Sequence, residues 1–187
     1  MQSPSFVFDV QYPPRLSRLL LFVKWLLVIP HLFVLWLLGF VVSAITVVAW
    51  FAILVTGRYP LGMWTFVVGV IQWMTRVNVY ATYYLRDDYP PFGEGPYPVD
   101  FRLRYPERLS RLLIFVKWLL IIPHLLVLAV LGAVAGFTIL VSWIAILITG
   151  RYPQGLFHFH VGVLRWTTRV TLYASLLTDD YPPFSLD

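Results

Sequence analysis

The sequence contains no cysteine, which excludes disulfides, Cys-ligated zinc, iron–sulfur clusters and thiol catalysis. Charge is scarce as well: Asp, Glu, Lys and Arg make up 12% of the 187 residues, against about 25% in an ordinary soluble domain. A domain of this length buries about 70% of its unfolded surface and must cover the rest with polar side chains, which are too few here for a water-soluble fold. The 14 Lys and Arg never form a run, so the dense basic stripe of a nucleic-acid-binding protein is missing and no nucleic-acid partner is expected. The first residues, Met1 to Gln11, are polar and poor in positive charge, unlike a cleavable signal peptide, so insertion is expected from the helices that follow.

Apolar and aromatic residues are abundant. Hydrophobic residues reach 59%, with 8 Trp, 11 Tyr and 14 Phe, far more burial than a disordered chain carries. The expected solvent is lipid, and the natural counterpart of the +5 net charge is an anionic headgroup.

The chain repeats itself. Tyr12-Pro13-Pro14-Arg15-Leu16-Ser17-Arg18-Leu19-Leu20 returns 93 residues later as Tyr105-Pro106-Glu107-Arg108-Leu109-Ser110-Arg111-Leu112-Leu113. At the same offset Lys24-Trp25 matches Lys117-Trp118, Pro30-His31 matches Pro123-His124, and Thr56-Gly57-Arg58-Tyr59-Pro60 matches Thr149-Gly150-Arg151-Tyr152-Pro153. One residue is then lost, so Asp87-Asp88-Tyr89-Pro90-Pro91-Phe92 aligns with Asp179-Asp180-Tyr181-Pro182-Pro183-Phe184. Two modules, residues 1–92 and 99–187, are therefore expected, joined by a short Gly/Pro linker at residues 93–98. The series YPxRLSRLL, KW, IPH, TGRYP and DDYPPF resembles a prokaryotic membrane family catalogued as domain of unknown function 4389, in tandem over nearly the whole chain. The resemblance implies an integral membrane module and assigns no reaction, ligand or catalytic residue.

Between Arg18 and Arg58 lie 39 residues whose strongly polar members are Lys24 and His31, too many for one simple span of about 20. Proline breaks or kinks a helix at the preceding residue. The pattern thus predicts an interfacial amphipathic helix over Arg15–Ile29 and a first span over His31–Val55, with Arg108–Ile122 as the equivalent surface helix. Gly57-Arg58-Tyr59-Pro60 then makes a turn, and a second span returns over Leu61–Leu85. The expected fold class is an all-α integral membrane protein with four spans and two surface helices, its modules related by an axis along the membrane normal. Arg15, Arg18, Lys24, Arg86, Arg102, Arg104, Arg108, Arg111 and Lys117 gather on the side of the termini, and Arg58 and Arg151 mark the other. The positive-inside rule then predicts a multi-pass protein of the prokaryotic cytoplasmic membrane with both termini in the cytoplasm.

Several residues are candidates for binding. Thr65, Gly69, Gln72 and Arg76 share one helical face, as do His158, Gly162, Arg165 and Arg169. A charged residue at membrane depth should face protein, water or a headgroup, so Gln72, Arg76, His158, Arg165 and Arg169, with Lys24 and Lys117 of the surface helices, are candidate contacts for anionic lipid or another anion. Asp87, Asp88, Asp179 and Asp180 are expected to form structural ion pairs with Arg15, Arg18, Arg108 or Arg111. Gly39, Ser43, Gly132 and Gly136 suit close helix packing. His31 and His124 follow proline, a place where imidazole can cap freed backbone groups or ligate haem or a pigment, but one histidine per module falls short of a site. His158 and His160 point about 200° apart on a helix, which argues against a shared metal. No cofactor and no metal are expected.

No nucleophile–base pair, phosphate loop or dinucleotide fingerprint is present in the sequence. The expected function is that of a non-catalytic accessory or packing subunit, its partners being membrane lipids and other integral membrane subunits. The alternative is a small transporter or channel with an arginine-lined anion path.

Overall fold

The computed structural model describes residues 5–93 and 95–187; Met1–Pro4 of the polar N-terminus and Glu94 of the linker lie outside them. The chain is mostly helical and built from two tandem modules. In order it forms β1 (Phe6–Val10), α1 (Leu20–Leu27), α2 (Ile29–Thr56), α3 (Leu61–Val77) followed by one π-helical turn (Asn78–Thr82), β2 (Val99–Leu103), α4 (Leu113–Leu120), α5 (Ile122–Thr149) and α6 (Gln154–Ala174).

Before Pro30 the first helical tract is interrupted at a single residue, Val28, between α1 and α2. Pro30 lies in the first turn of α2, where a missing N–H is tolerated. Across the junction Val28 N–H donates to the Lys24 carbonyl and Leu32 N–H to the Val28 carbonyl, both at 3.0 Å. The Leu27 carbonyl next to this interruption accepts from the Tyr89 hydroxyl at 3.2 Å, and Leu120 accepts from Tyr181 at 3.3 Å. Each closing DDYPPF segment thus bonds to the helix junction of its own module. The expected surface helix over Arg15–Ile29 is accordingly shorter, and it runs on into α2.

Two tracts, Leu20–Thr56 and Leu113–Thr149, are long and apolar enough to cross a membrane. Only 6% and 11% of their most apolar stretches are buried in protein, whereas a core helix of a soluble protein would be mostly covered. Each tract ends as its Gly predicts: Gly57 and Gly150 both adopt φ of 70°, a left-handed cap that suits a residue without Cβ. Neither α3, with 17 residues, nor α6 belongs to this class. Among the described residues two helices qualify as spans by length and composition, where the sequence pattern suggested four.

The β-ribbon corrects the all-α expectation. β1 and β2 pair antiparallel with Phe8 opposite Phe101, residues that are also 93 apart. A pseudo-twofold axis therefore passes through the ribbon. The helices obey it: the Trp64 indole near the start of α3 donates to the Leu177 carbonyl beyond the end of α6, at 3.1 Å. The Tyr152 hydroxyl before α6 reaches the Tyr83 carbonyl beyond α3, at 3.0 Å. α3 and α6 thus run antiparallel, and the axis is perpendicular to them. The RLSR segment of each module sits on the TGRYP turn of the other, with Leu16 N–H to Gly150 O at 2.9 Å and Leu109 N–H to Gly57 O at 2.8 Å. This overturns the arrangement in which those two motifs lay on opposite sides. The buried core, including Tyr59, Trp64, Val67, Ile71, Ile146, Tyr152, Phe157 and Leu164, runs continuously through both modules.

Candidate functional site

Each module holds a buried lysine node. Lys24 stands in α1, seven residues beyond Ser17. Its Nζ lies 2.8 Å from Asp87 Oδ1, donates to the Arg86 carbonyl at 2.6 Å, and sits 4.9 Å from the Tyr80 ring centroid. Asp87 Oδ2 accepts from the Ser17 backbone N–H at 2.5 Å. The second module repeats the node: Lys117 Nζ lies 2.8 Å from Asp179, 2.6 Å from the Thr178 carbonyl and 4.6 Å from the Tyr173 ring, while Ser110 N–H donates to Asp179 at 2.6 Å. Both lysines are buried, and a buried cation is tolerated when its donors are filled in this way.

The ion pairs expected for Arg15, Arg18, Arg108 and Arg111 are thus replaced. The serine of RLSR supplies a backbone N–H, the KW lysine supplies the charge, and Asp88 pairs with Arg86 at 2.6 Å. At Asp180 it is the backbone N–H that is engaged, donating to Thr178 Oγ1 at 3.1 Å. Among the described residues no ion pair joins an RLSR arginine to these carboxylates. Arg18 instead donates to the Ile148 carbonyl at 2.9 Å, where the C-terminal end of α5 favours a cation. Arg58, Arg108 and Arg111 line a concavity of about 740 Å³ with Thr56, Gly57 and Ser110.

The histidines after proline are packing groups. Trp73 Nε1 donates to His31 Nδ1, and Trp166 Nε1 to His124 Nδ1, each at 3.0 Å. Phe92 stacks on His31 with centroids 4.0 Å apart, and Phe184 on His124 at 3.9 Å. The aromatic partners escaped the sequence reading, although Trp73 and Trp166 stand at the repeat offset and each Phe closes its module. The partners of His160 escaped it too. His160 is buried in the second module, with Nδ1 2.8 Å from the Tyr152 hydroxyl and Nε2 2.9 Å from Thr138 Oγ1, while its counterpart is Val67. His158 is exposed, so the two histidines diverge as their spacing predicts. Among the described residues no cluster of three or more His, Asp or Glu could hold a metal.

The arginine stripes are roofed by the protein itself. Arg165 donates to the Phe8 carbonyl at 2.9 Å and the Leu186 carbonyl at 2.8 Å, and lies 3.4 Å from Asp9. Arg169 reaches the Ser185 carbonyl at 3.5 Å, and Arg76 donates to the Gly93 carbonyl at 3.0 Å. Over Gly162 the C-terminal tail comes so close that a Cβ there would stand 2.7 Å from Leu186 Cβ. Gln72 is half-buried. Lys24, Lys117, Arg76, Arg165 and Arg169 therefore serve inside the fold, where they latch the ribbon, linker and tail onto the helices. The small-residue positions Gly39, Gly132 and Gly136 have open space beyond them, so they pack nothing within the chain.

Residues 18–93 and 111–185 match the family described as Domain of unknown function (DUF4389). No curated protein and no solved structure matches the chain.

Proposed function

The chain belongs to the DUF4389 family, present in two tandem copies, and on that premise we propose that it is a non-catalytic protein of the prokaryotic cytoplasmic membrane, acting as an accessory or packing subunit. One contrast carries the reading: the buried lysines are held by the chain itself, while the outside of the long helices is apolar. Lys24 and Lys117 are each held by a carboxylate and a carbonyl. Exposed hydroxyls on the long helices, Ser43, Thr56 and Thr149, bond back to their own carbonyls four residues earlier. Such a molecule offers lipid and neighbouring helices a surface without chemistry of its own. Anionic lipid is the accompanying ligand, met by the exposed arginines at the helix ends, Arg15, Arg58, Arg108, Arg111 and Arg151.

The anion-path alternative finds no support in the arginine stripe, because Arg76, Arg165 and Arg169 point their donors at backbone carbonyls. The test is isolation from native membranes in mild detergent, followed by mass determination. A defined larger assembly retaining anionic phospholipid is expected. A solitary chain that moves anions across liposomes would contradict the proposal.

A further inference from the structure

We propose that the protein lies within one leaflet of the bilayer, with its pseudo-twofold axis along the membrane normal, and does not cross. The proposal rests on the membrane reading above and specifies how the lipid is met.

The argument starts with the layers. On α6, His158, Gly162, Arg165 and Arg169 lie within about 60° of one another, and His160 lies roughly opposite, at about 200° from His158. The first face carries the ribbon and the C-terminal tail, through Arg165 to Phe8 and Gly162 to Leu186. The opposite face carries α5, through His160 to Thr138 and the Ala135 carbonyl. Ribbon and tail, then α3 with α6, then α2 with α5 thus follow one another along the twofold axis.

The layers differ in polarity. Asp9 is 69% and Arg102 73% exposed on the ribbon, so that face needs water. Arg165, which holds the ribbon, stands near the middle of α6. Were α3 and α6 to cross a bilayer, the ribbon's charges would sit at its centre, where ionic side chains are costly. On the far layer the apolar residues that α2 exposes, from Leu32 on one side through Phe33, Phe40 and Phe51 to Val48 and Val41 on the other, cover an arc of about 180°. The charged residues of the long tracts are Lys24 and Lys117, both buried. A helix with its side chains is about 10–12 Å thick, and half of a hydrocarbon core is about 15 Å, so one leaflet accommodates this layer. At its edges the exposed Arg15, Arg58, Arg108, Arg111 and Arg151 meet headgroup phosphates, the charge complement of an anionic leaflet.

Three positions make the test direct. Phe33, Phe40 and Val47 are seven residues apart along one face and are 61%, 61% and 60% exposed. Nitroxide labels on Phe33→Cys, Phe40→Cys and Val47→Cys, in vesicles of phosphatidylethanolamine and phosphatidylglycerol, report depth through collision with oxygen and with a nickel chelate. An in-plane helix gives one depth, constant within about 5 Å, whereas a spanning helix steps by about 10 Å from label to label. Stepped depths would overturn the leaflet arrangement and leave the membrane reading standing. Labels shielded from both collision partners would assign the face to a second copy and also overturn it. Protein that does not float with the vesicles would remove the membrane reading itself.

Discussion

Trp73 Nε1 donates its hydrogen to His31 Nδ1 at 3.0 Å, and Trp166 repeats the bond to His124 at the same distance. An indole N–H only donates, so Nδ1 of each neutral ring accepts and the ring proton resides on Nε2. Removing the donor leaves a buried acceptor unsatisfied, a loss of about 1–3 kcal/mol. Trp73→Phe is expected to destabilise by that amount in denaturant melts, and Trp166→Phe by a similar amount. Nitrogen-15 spectra of wild-type protein should show the Nε2–H tautomer for both rings; an Nδ1–H signal from either would refute the assignment.

The lysine node predicts strong coupling. Lys24→Met leaves Asp87 without its cation and is expected to cost about 3–5 kcal/mol. The double variant Lys24→Met/Asp87→Leu should recover most of that loss, since an apolar replacement of both partners is often neutral or stabilising. Arg15→Gln is expected to change stability by less than about 0.5 kcal/mol. A double-mutant cycle measures the contrast, and additive losses for Lys24 and Asp87 would refute the node.

Glycine substitutions should divide by backbone. Gly57 and Gly150 hold φ of 70°, so Gly57→Ala and Gly150→Ala are expected to destabilise by about 1–2 kcal/mol each. Gly39 lies within a helix with open space around it, and Gly39→Ala is expected to stabilise by up to about 1 kcal/mol. Thermal melts of the three variants test the difference in sign.

Alkaline pH supplies a further test. Burial pushes the Tyr59 phenol up to about 12 from its usual 10. The unfolded chain therefore releases this proton above pH 10 while the folded chain retains it to about pH 12, so stability falls as pH rises through that window. Tyr59→Phe should flatten this part of the pH–stability curve, and an unchanged curve would contradict the burial effect.

Much of the fold was legible because it is local. The repeat, the glycine caps after each long helix and the interruption ahead of Pro30 follow from motifs and from proline and glycine chemistry. The ribbon was harder to see. Phe6-Val7-Phe8-Asp9-Val10 alternates only partly, and its partner strand stands 93 residues away, so neither strand shows its pairing. The seating of Leu16 on Gly150 is likewise a contact across 134 residues, which no periodicity encodes. Arg15 and Arg18 looked like the partners of Asp87 because arginine pairs readily with carboxylate. Helix geometry decided otherwise, since Lys24 lies about one turn inside the tract, against the carboxylate, while Arg18 faces the end of another helix.

The leaflet arrangement is tested most directly by the sidedness of three cysteines in this cysteine-free chain. Gly62 and Gly155 are repeat equivalents, both exposed with open space beyond them, and Arg102 lies on the ribbon. Gly62→Cys, Gly155→Cys and Arg102→Cys should respond alike to an impermeant thiol reagent, all three reached from one and the same side when intact cells are compared with cells whose inner membrane is opened. Gly62→Cys and Gly155→Cys labelled from opposite sides, or both opposite to Arg102→Cys, would mean that the helices cross the membrane and would contradict the account.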